Sequence, residues 1–249
     1  MAGSSSRFRA MGFDSPKFML FAKGRSLFSW SMESLRHFFG FEFVFITLHE
    51  HRASKFIEQE CAELGISKFT IHTLPELTDG QASTVLSAKE LVAPSDEIAI
   101  YNIDTYVEAI HLRPESIQGD GWLPCFDCQG DHFSFVSLEL DGKVKEIAEK
   151  IRISPYGTIG LYYFSSFDLF KYSFEVCSFA GVKEKFVAPL YSVLLQEGMP
   201  VYGSLIPSSA VFVLGTPAEV VIFDPLFLTN QNNYSAEMKR RAAGRDLEV

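Results

Sequence analysis

The sequence predicts an α/β fold: a mixed, mostly parallel sheet with helices on both faces. Three observations lead there. Apolar runs of strand length alternate with amphipathic helical patterns through the first half of the chain. Hydrophobic residues form 47% of the 249 positions, with 24 phenylalanines among them, which is ample for a sizeable core. No repeat or linker breaks the pattern, so residues 1–228 read as one domain and 229–249 as a polar tail carrying Lys239, Arg240 and Arg241.

The elements follow in order. Ser26 to Phe38 carries Leu27, Phe28, Trp30, Met32, Leu35 and Phe38 on a broad apolar helical face. Phe41 to Leu48 is an apolar run of strand length. Arg52 to Leu64 is helical, with Phe56, Ile57, Cys61 and Leu64 on one face, and Gly65 stops it. Lys68 to Leu74 alternates like a strand, Asp79 to Leu91 reads as a helix, and Glu97 to Asn102 as a short buried strand. In the second half Leu123 to Phe126, Phe133 to Leu140 and Thr158 to Phe164 are strands with few helices between them, so pairing there is antiparallel or mixed. Helical patterns return at Ser165 to Tyr172 and Lys185 to Glu197, and Thr216-Pro217 caps a last helix to about Leu228.

Composition excludes several classes. A net charge of −9 argues against general affinity for nucleic acid or acidic membrane. No apolar run reaches the ~18 residues of a membrane span. Four cysteines are too few for a disulfide scaffold, so a reducing, cytoplasmic location is expected. Cys125-Phe-Asp-Cys128 is a lone pair of half-buried thiols with only His132 near as a further ligand. His49-Glu50-His51 reads as exposed loop.

The chemistry begins with Met1-Ala2-Gly3-Ser4-Ser5-Ser6-Arg7-Phe8, followed by Pro16-Lys17. Small residues let backbone N–H groups approach an anion, and Gly3 removes the steric cost of a tight turn. Arg7 offers a planar fork for phosphate oxygens, and Lys17 a point charge behind the rigid Pro16. Ile98 to Thr105 is an apolar strand ending in Asn102 and Asp104, where open α/β sheets bind ligands. Asp104 there could hold magnesium, which commonly uses one or two carboxylates plus substrate phosphates. Asp79-Gly80-Gln81-Ala82 opens a helix whose free N–H groups favour an anion or a nucleobase carbonyl.

Together these segments resemble the sugar-phosphate nucleotidyltransferases, whose signature is A/G-G-x-x-[ST]-R-[FL], a spacer, then P-K. The resemblance runs from Ala2 to Glu219 through several motifs in family order. It implies a Rossmann-like, GT-A-like nucleotidyltransferase fold in which Ala2, Gly3, Ser4, Ser5, Ser6, Arg7 and Lys17 wrap a nucleoside triphosphate. Gly80, Gln81 and Asn102 would complete the nucleotide site. Arg7, Lys17 and Asp104 would be the catalytic set, with Asp104 on Mg2+. Glu149-Lys150 with Gly160 and Tyr162 resembles the acceptor region, where the glutamate meets the acceptor and the lysine its phosphate. Leu214-Gly215-Thr216-Pro217-Ala218-Glu219 matches L-G-T-P-E-[DE], but Val213 and Leu214 stand where many relatives carry a second metal-binding aspartate. The departure leaves three alternatives open: weaker magnesium binding, a ligand from elsewhere such as Asp224, or lost catalysis.

The implied reaction transfers NMP to a sugar 1-phosphate or similar phosphomonoester, releasing pyrophosphate, for surface or capsular polysaccharide assembly. Expected partners are thus a triphosphate and a phosphorylated small molecule, with no nucleic acid or membrane, and with self-association open. A metal-dependent glycosyltransferase using a nucleotide sugar, and a catalytically silent nucleotide-binding relative, are the alternatives. Trp122, Phe126, Phe133, Tyr156, Tyr162 and Tyr163 could line a sugar pocket or box a quaternary ammonium, or be core. Finally, a phosphate turn in an α/β sheet normally follows a buried strand, so apolar residues ahead of Met1 are expected.

Overall fold

The computed structural model describes residues 1–179, 181 and 183–229; the expected tail beyond 229 lies outside the described residues. Ser5 takes a left-handed conformation, φ 52°, ahead of the short helix α1 (Ser6–Arg9). A hairpin of β1 (Phe21–Ala22) and β2 (Arg25–Ser26) leads into α2 (Leu27–Glu33), where the Ser26 hydroxyl caps the helix by accepting from the Ser29 N–H. Next come β3 (Phe43–Leu48), α3 (Ser54–Leu64) and β4 (Phe69–Leu74), a crossover unit with β3 and β4 parallel. Gly65, at φ 80°, ends α3 as its spacing predicts. Helix α4 (Gln81–Leu86) precedes β5 (Ile98–Tyr101) and β6 (Thr105–Val107).

The second half holds β7 (Gly121–Asp127), β8 (Ser134–Leu138), β9 (Val144–Glu149), β10 (Tyr156–Thr158) and β11 (Leu161–Phe164). Then follow α5 (Phe167–Val176), α6 (Tyr191–Gln196), β12 (Val201–Ile206), β13 (Val211–Val213) and α7 (Pro217–Phe223). One edge of β7 is shared by β11 and β10; its other edge pairs in parallel with β12. Strand β11 continues to β5, and β10 to β8 and β9.

Side chains alternate across this seven-stranded sheet. Trp122 and Phe126 face a cluster with Phe28, Phe45, Phe56 and Ile57 of α2, β3 and α3. Leu123 and Cys125 face Phe170, Tyr191 and Leu194 of α5 and α6. Helices thus cover both faces, as the period-two pattern requires.

The expectation of a mostly parallel sheet is corrected. Among the described strands only β3–β4 and β7–β12 run parallel, and the other pairs are antiparallel. The connections between β7 and β11 are of hairpin length, whereas a parallel crossover needs about a dozen residues. His51 is buried rather than in an exposed loop, and Cys125 and Cys128 are both buried. Trp122, Phe126, Tyr162 and Tyr163 are core residues.

One cavity lies between two strand edges. Among the described residues β3 pairs with β4 and β5 with β11, and both strands border a cavity of about 1410 Å³. Phe43 to Ile46 line one side, Ile98 to Asp104 the other, and Met1 to Ser5 close one end.

Candidate active site

The opening turn, Lys17, α4 and the carboxyl end of β5 converge on that cavity. Ala2, Gly3, Ser4, Ser5, Lys17, Gly80, Gln81, Asn102 and Asp104 all line it. The Ser5 hydroxyl accepts from the Lys17 N–H at 3.1 Å, tying the two halves of the opening motif together. The Lys17 ammonium donates to Asp104 Oδ2 at 2.6 Å. Burial works to raise the Asp104 carboxyl, but the Lys17 charge and hydrogen bond outweigh it and hold the group below its ordinary range. The Met1 amino group is buried beside this pair, and burial, then Lys17, push it down to about 5. Ser6 and Arg7 are exposed on α1 and do not line the cavity.

Gln81 donates its amide to Asn102 Oδ1 at 2.5 Å, joining the two residues read as nucleotide contacts. Gly160 supports Asn102 from behind. Its carbonyl accepts from the Asn102 N–H at 2.9 Å, and a Cβ there would lie 2.6 Å from Asn102 Nδ2. Gly80 has an equally tight neighbour: a Cβ would lie 2.3 Å from the Lys185 backbone nitrogen, so residues 184–186 pack directly on the start of α4. Lys185 fixes that contact with a 2.6 Å ion pair to Asp79, and its hydrogen bond holds the Asp79 carboxyl below its ordinary value.

Of the residues read from the sequence as acceptor contacts, Glu149 and Lys150 lie together at the end of β9 with Tyr162 behind them, Gly160 packs on Asn102 instead, and none of the four lines the cavity. Lys150 sits at φ 56°, a conformation costly for a side-chain-bearing residue, and its ammonium lies 4.0 Å over the Phe186 ring. Phe186 and Glu184 in turn line the main cavity. Burial raises the Glu149 carboxyl, while the Ser134 hydroxyl that donates to it and Lys150 oppose the shift. The Tyr162 hydroxyl bonds Thr158 at 2.9 Å and Ser134 at 3.3 Å, so Tyr162 braces this group from the core. Burial pushes its phenol up to about 12.

The third group surrounds Gly215. Strand β13 pairs with β6, placing Val213 opposite Thr105, and the Leu214 N–H donates to the Asp104 carbonyl at 2.7 Å. Asp224, considered from sequence as a spare metal ligand, is buried and accepts from the N–H groups of Lys23 and Leu226. It is therefore spent on turn structure. Glu219 and His132 pair at 3.2 Å near Gly215. Sequence reading took Glu219 only as part of its segment and gave His132 no role in it. Ser134 and Lys185 carried no sequence signal of their own. Among the described residues no group of three or more His, Cys, Asp or Glu could hold a metal, so a cation here depends on fewer carboxylates and on substrate oxygens.

No protein-family model matches the chain, and no curated protein matches it. Solved structures do. The nucleoside-diphosphate-sugar pyrophosphorylase from Vibrio cholerae RC9 is 33% identical over 90% of this chain and 97% of its own, with a TM-score of 0.82. The inositol-1-phosphate CTP transferase from T. maritima shares the fold, at 16% identity, 88% coverage of both chains and a TM-score of 0.72. So does a protein from Bacillus anthracis described as a glucose-1-phosphate thymidylyltransferase, at 17% identity, 91% and 92% coverage and a TM-score of 0.72. With a third of its residues shared with the first of these along nearly the whole of both chains, this chain belongs to the sugar-phosphate nucleotidyltransferase family.

Proposed function

We propose that the chain transfers NMP from a nucleoside triphosphate to the phosphate of a sugar phosphate or similar small phosphomonoester. The observation that carries this is the meeting of the opening turn, Lys17 and Asp104 at the end of β5, in a family of that chemistry. An oxygen of the acceptor phosphate forms the new bond to the α-phosphorus. The bond from that phosphorus to the bridging oxygen breaks, and pyrophosphate leaves with the electron pair.

The acceptor phosphate has a second pKa of ~6 and is mostly ionised at neutral pH, so no serine nucleophile or histidine base is required. Catalysis is then positioning and charge neutralisation. Lys17, released from Asp104, meets the triphosphate as a point charge. Gln81 and Asn102, locked to each other, orient the nucleotide end. Lys150 brings in the acceptor phosphate, and Glu149 meets an acceptor hydroxyl. Arg7 serves the triphosphate from the edge of the turn.

Magnesium fits this site. Asp104 stands at a strand tip, is kept ionised, and is 29% exposed, so it is reachable from the cavity. Asp104 would hold the ion, which when bound neutralises charge between triphosphate oxygens. The proposed product is an activated sugar or small alcohol of the kind used in surface or capsular polysaccharide. The proposed setting is the cytoplasm, which supplies nucleoside triphosphates and matches four free cysteines. Among the described residues no helix is long and apolar enough to cross a membrane. The test is a pyrophosphate-release screen of four triphosphates against sugar phosphates, phosphocholine and other phosphorylated metabolites. Pyrophosphate release with a defined pair supports the proposal; nucleotide-sugar consumption without it would favour a glycosyltransferase.

A further inference from the structure

We propose that Glu219 is the second carboxylate of the metal site, facing Asp104 across Gly215. This rests on the reading of Asp104 as a magnesium ligand.

The space between the two carboxylates carries the inference. A Cβ on Gly215 would lie 3.3 Å from Asp104 Oδ2 and 3.4 Å from Glu219 Oε2. The two oxygens therefore converge on one spot, and only a residue without a side chain leaves it open. Gly215 has no positive φ that would itself demand glycine. Its role is to keep this gap clear.

Glu219 also has an unspent oxygen. Thr216-Pro217-Ala218-Glu219 has the spacing of a capping box, in which the hydroxyl accepts from the third N–H and the carboxylate reaches back to the cap N–H. Only the first half forms: Thr216 Oγ1 accepts from the Glu219 N–H at 3.3 Å. The carboxylate turns away from the cap. Its Oε1 meets His132 at 3.2 Å, while Oε2 is buried with no hydrogen-bond partner. A buried, unpartnered carboxylate oxygen is costly, and a second carboxylate beside it adds repulsion. Lys17 answers the Asp104 side only. A divalent cation would be held by Asp104 and Glu219 together and would neutralise both, in keeping with magnesium held by two carboxylates and substrate phosphates.

The neighbouring positions offer no competing ligand. Val213 is paired in the β13–β6 ladder, Leu214 is fully buried in an apolar cluster, and Asp224 is consumed by backbone N–H groups. The carboxylate absent from the end of β13 is thus replaced from the first turn of α7.

The experiment is an electron-paramagnetic-resonance titration of free Mn2+ with the protein alone, comparing wild type, Asp104→Asn, Glu219→Gln and Gly215→Ala. Thermal melts confirm that each variant is folded. Glu219→Gln should weaken Mn2+ by about tenfold or more, the loss that even outer partners of metal ligands cause. Gly215→Ala should weaken it too, because its methyl group fills the gap without touching either carboxylate's charge. If Asp104→Asn loses Mn2+ while Glu219→Gln and Gly215→Ala both bind as wild type, Glu219 is a structural residue and only this inference falls. If wild type does not bind Mn2+, or Asp104→Asn leaves its binding unchanged, the metal role of Asp104 falls with it.

Discussion

Lys17 and Asp104 lie 87 positions apart in sequence and 2.6 Å apart in space, each less than a third exposed. The ion pair spans the site from the opening turn to the end of β5. It keeps the carboxylate ionised and holds the ammonium at the cavity lining. The two groups proposed to serve the reaction therefore hold each other.

Asp104→Asn is expected to abolish magnesium-dependent turnover and leave the fold intact, since the residue sits at a strand tip. Its stability effect has a defined pH window. Because the folded carboxyl is held below its unfolded value, its contribution is present above about pH 4 and lost as pH falls through the folded value. Melting curves at pH 7 and pH 3 should show a difference from wild type that shrinks at the lower pH. Undiminished turnover at limiting magnesium would remove Asp104 from the site.

Lys17→Ala should weaken triphosphate binding by about 1.5–3 kcal/mol, the loss of one charge-assisted contact. Arg7→Ala should weaken it less, because Arg7 is exposed and stands outside the cavity lining. Titration calorimetry with the active nucleotide measures both. Equal and full losses would mean that the turn closes on its ligand and draws Arg7 inward.

Lys150→Ala should raise the acceptor KM far more than the nucleotide KM, because Lys150 belongs to the group at the end of β9. Lys150→Gly should retain more stability than Lys150→Ala, since glycine suits φ 56°. Steady-state kinetics with each substrate varied in turn decide the first point, and a shift confined to nucleotide KM would assign this lysine to the wrong substrate.

Gly160→Ala should both destabilise the protein and impair nucleotide use. The position has φ 82°, which costs alanine about 1–2 kcal/mol, and the added methyl group would collide with Asn102. A Tm loss of about 2–4 °C per kcal/mol is expected, with a raised nucleotide KM as Asn102 and Gln81 are displaced together. A melting loss with unchanged kinetics would reduce Gly160 to backbone support alone.

Much of the site was legible because its residues announce themselves locally. The small-residue turn, Pro16-Lys17 and the apolar strand ending in Asn102 and Asp104 each carry their chemistry in adjacent positions. Gly65 and Thr216-Pro217 marked helix ends for the same reason. What escaped was non-local. Strands β9 and β12 carry mixed polar and apolar residues, and only pairing with β8 and β7 identifies them. The sheet's direction depends on connection length, which the apolar pattern does not encode. The positions of Lys185 on Gly80 and Glu219 beside Asp104 arise from distant segments folding together, so neither is visible in its own neighbourhood.

Among the described strands the backbone ladders are unevenly shared. The unit of β3, α3 and β4 is joined to the larger sheet through side chains, chiefly Phe45, Phe56 and Ile57 packed with Phe28, and not through a shared backbone ladder. Amide exchange in β3 and β4 should therefore report a sub-global opening of lower free energy than that of β7, which is paired along both edges. The β3 wall of the cavity is the compliant one, and the β5 wall, which carries Asn102 and Asp104 and is joined through β11 to β7, is the firm one. A ligand that bridged them would spend part of its binding energy on bringing the softer wall to the rigidity of the other.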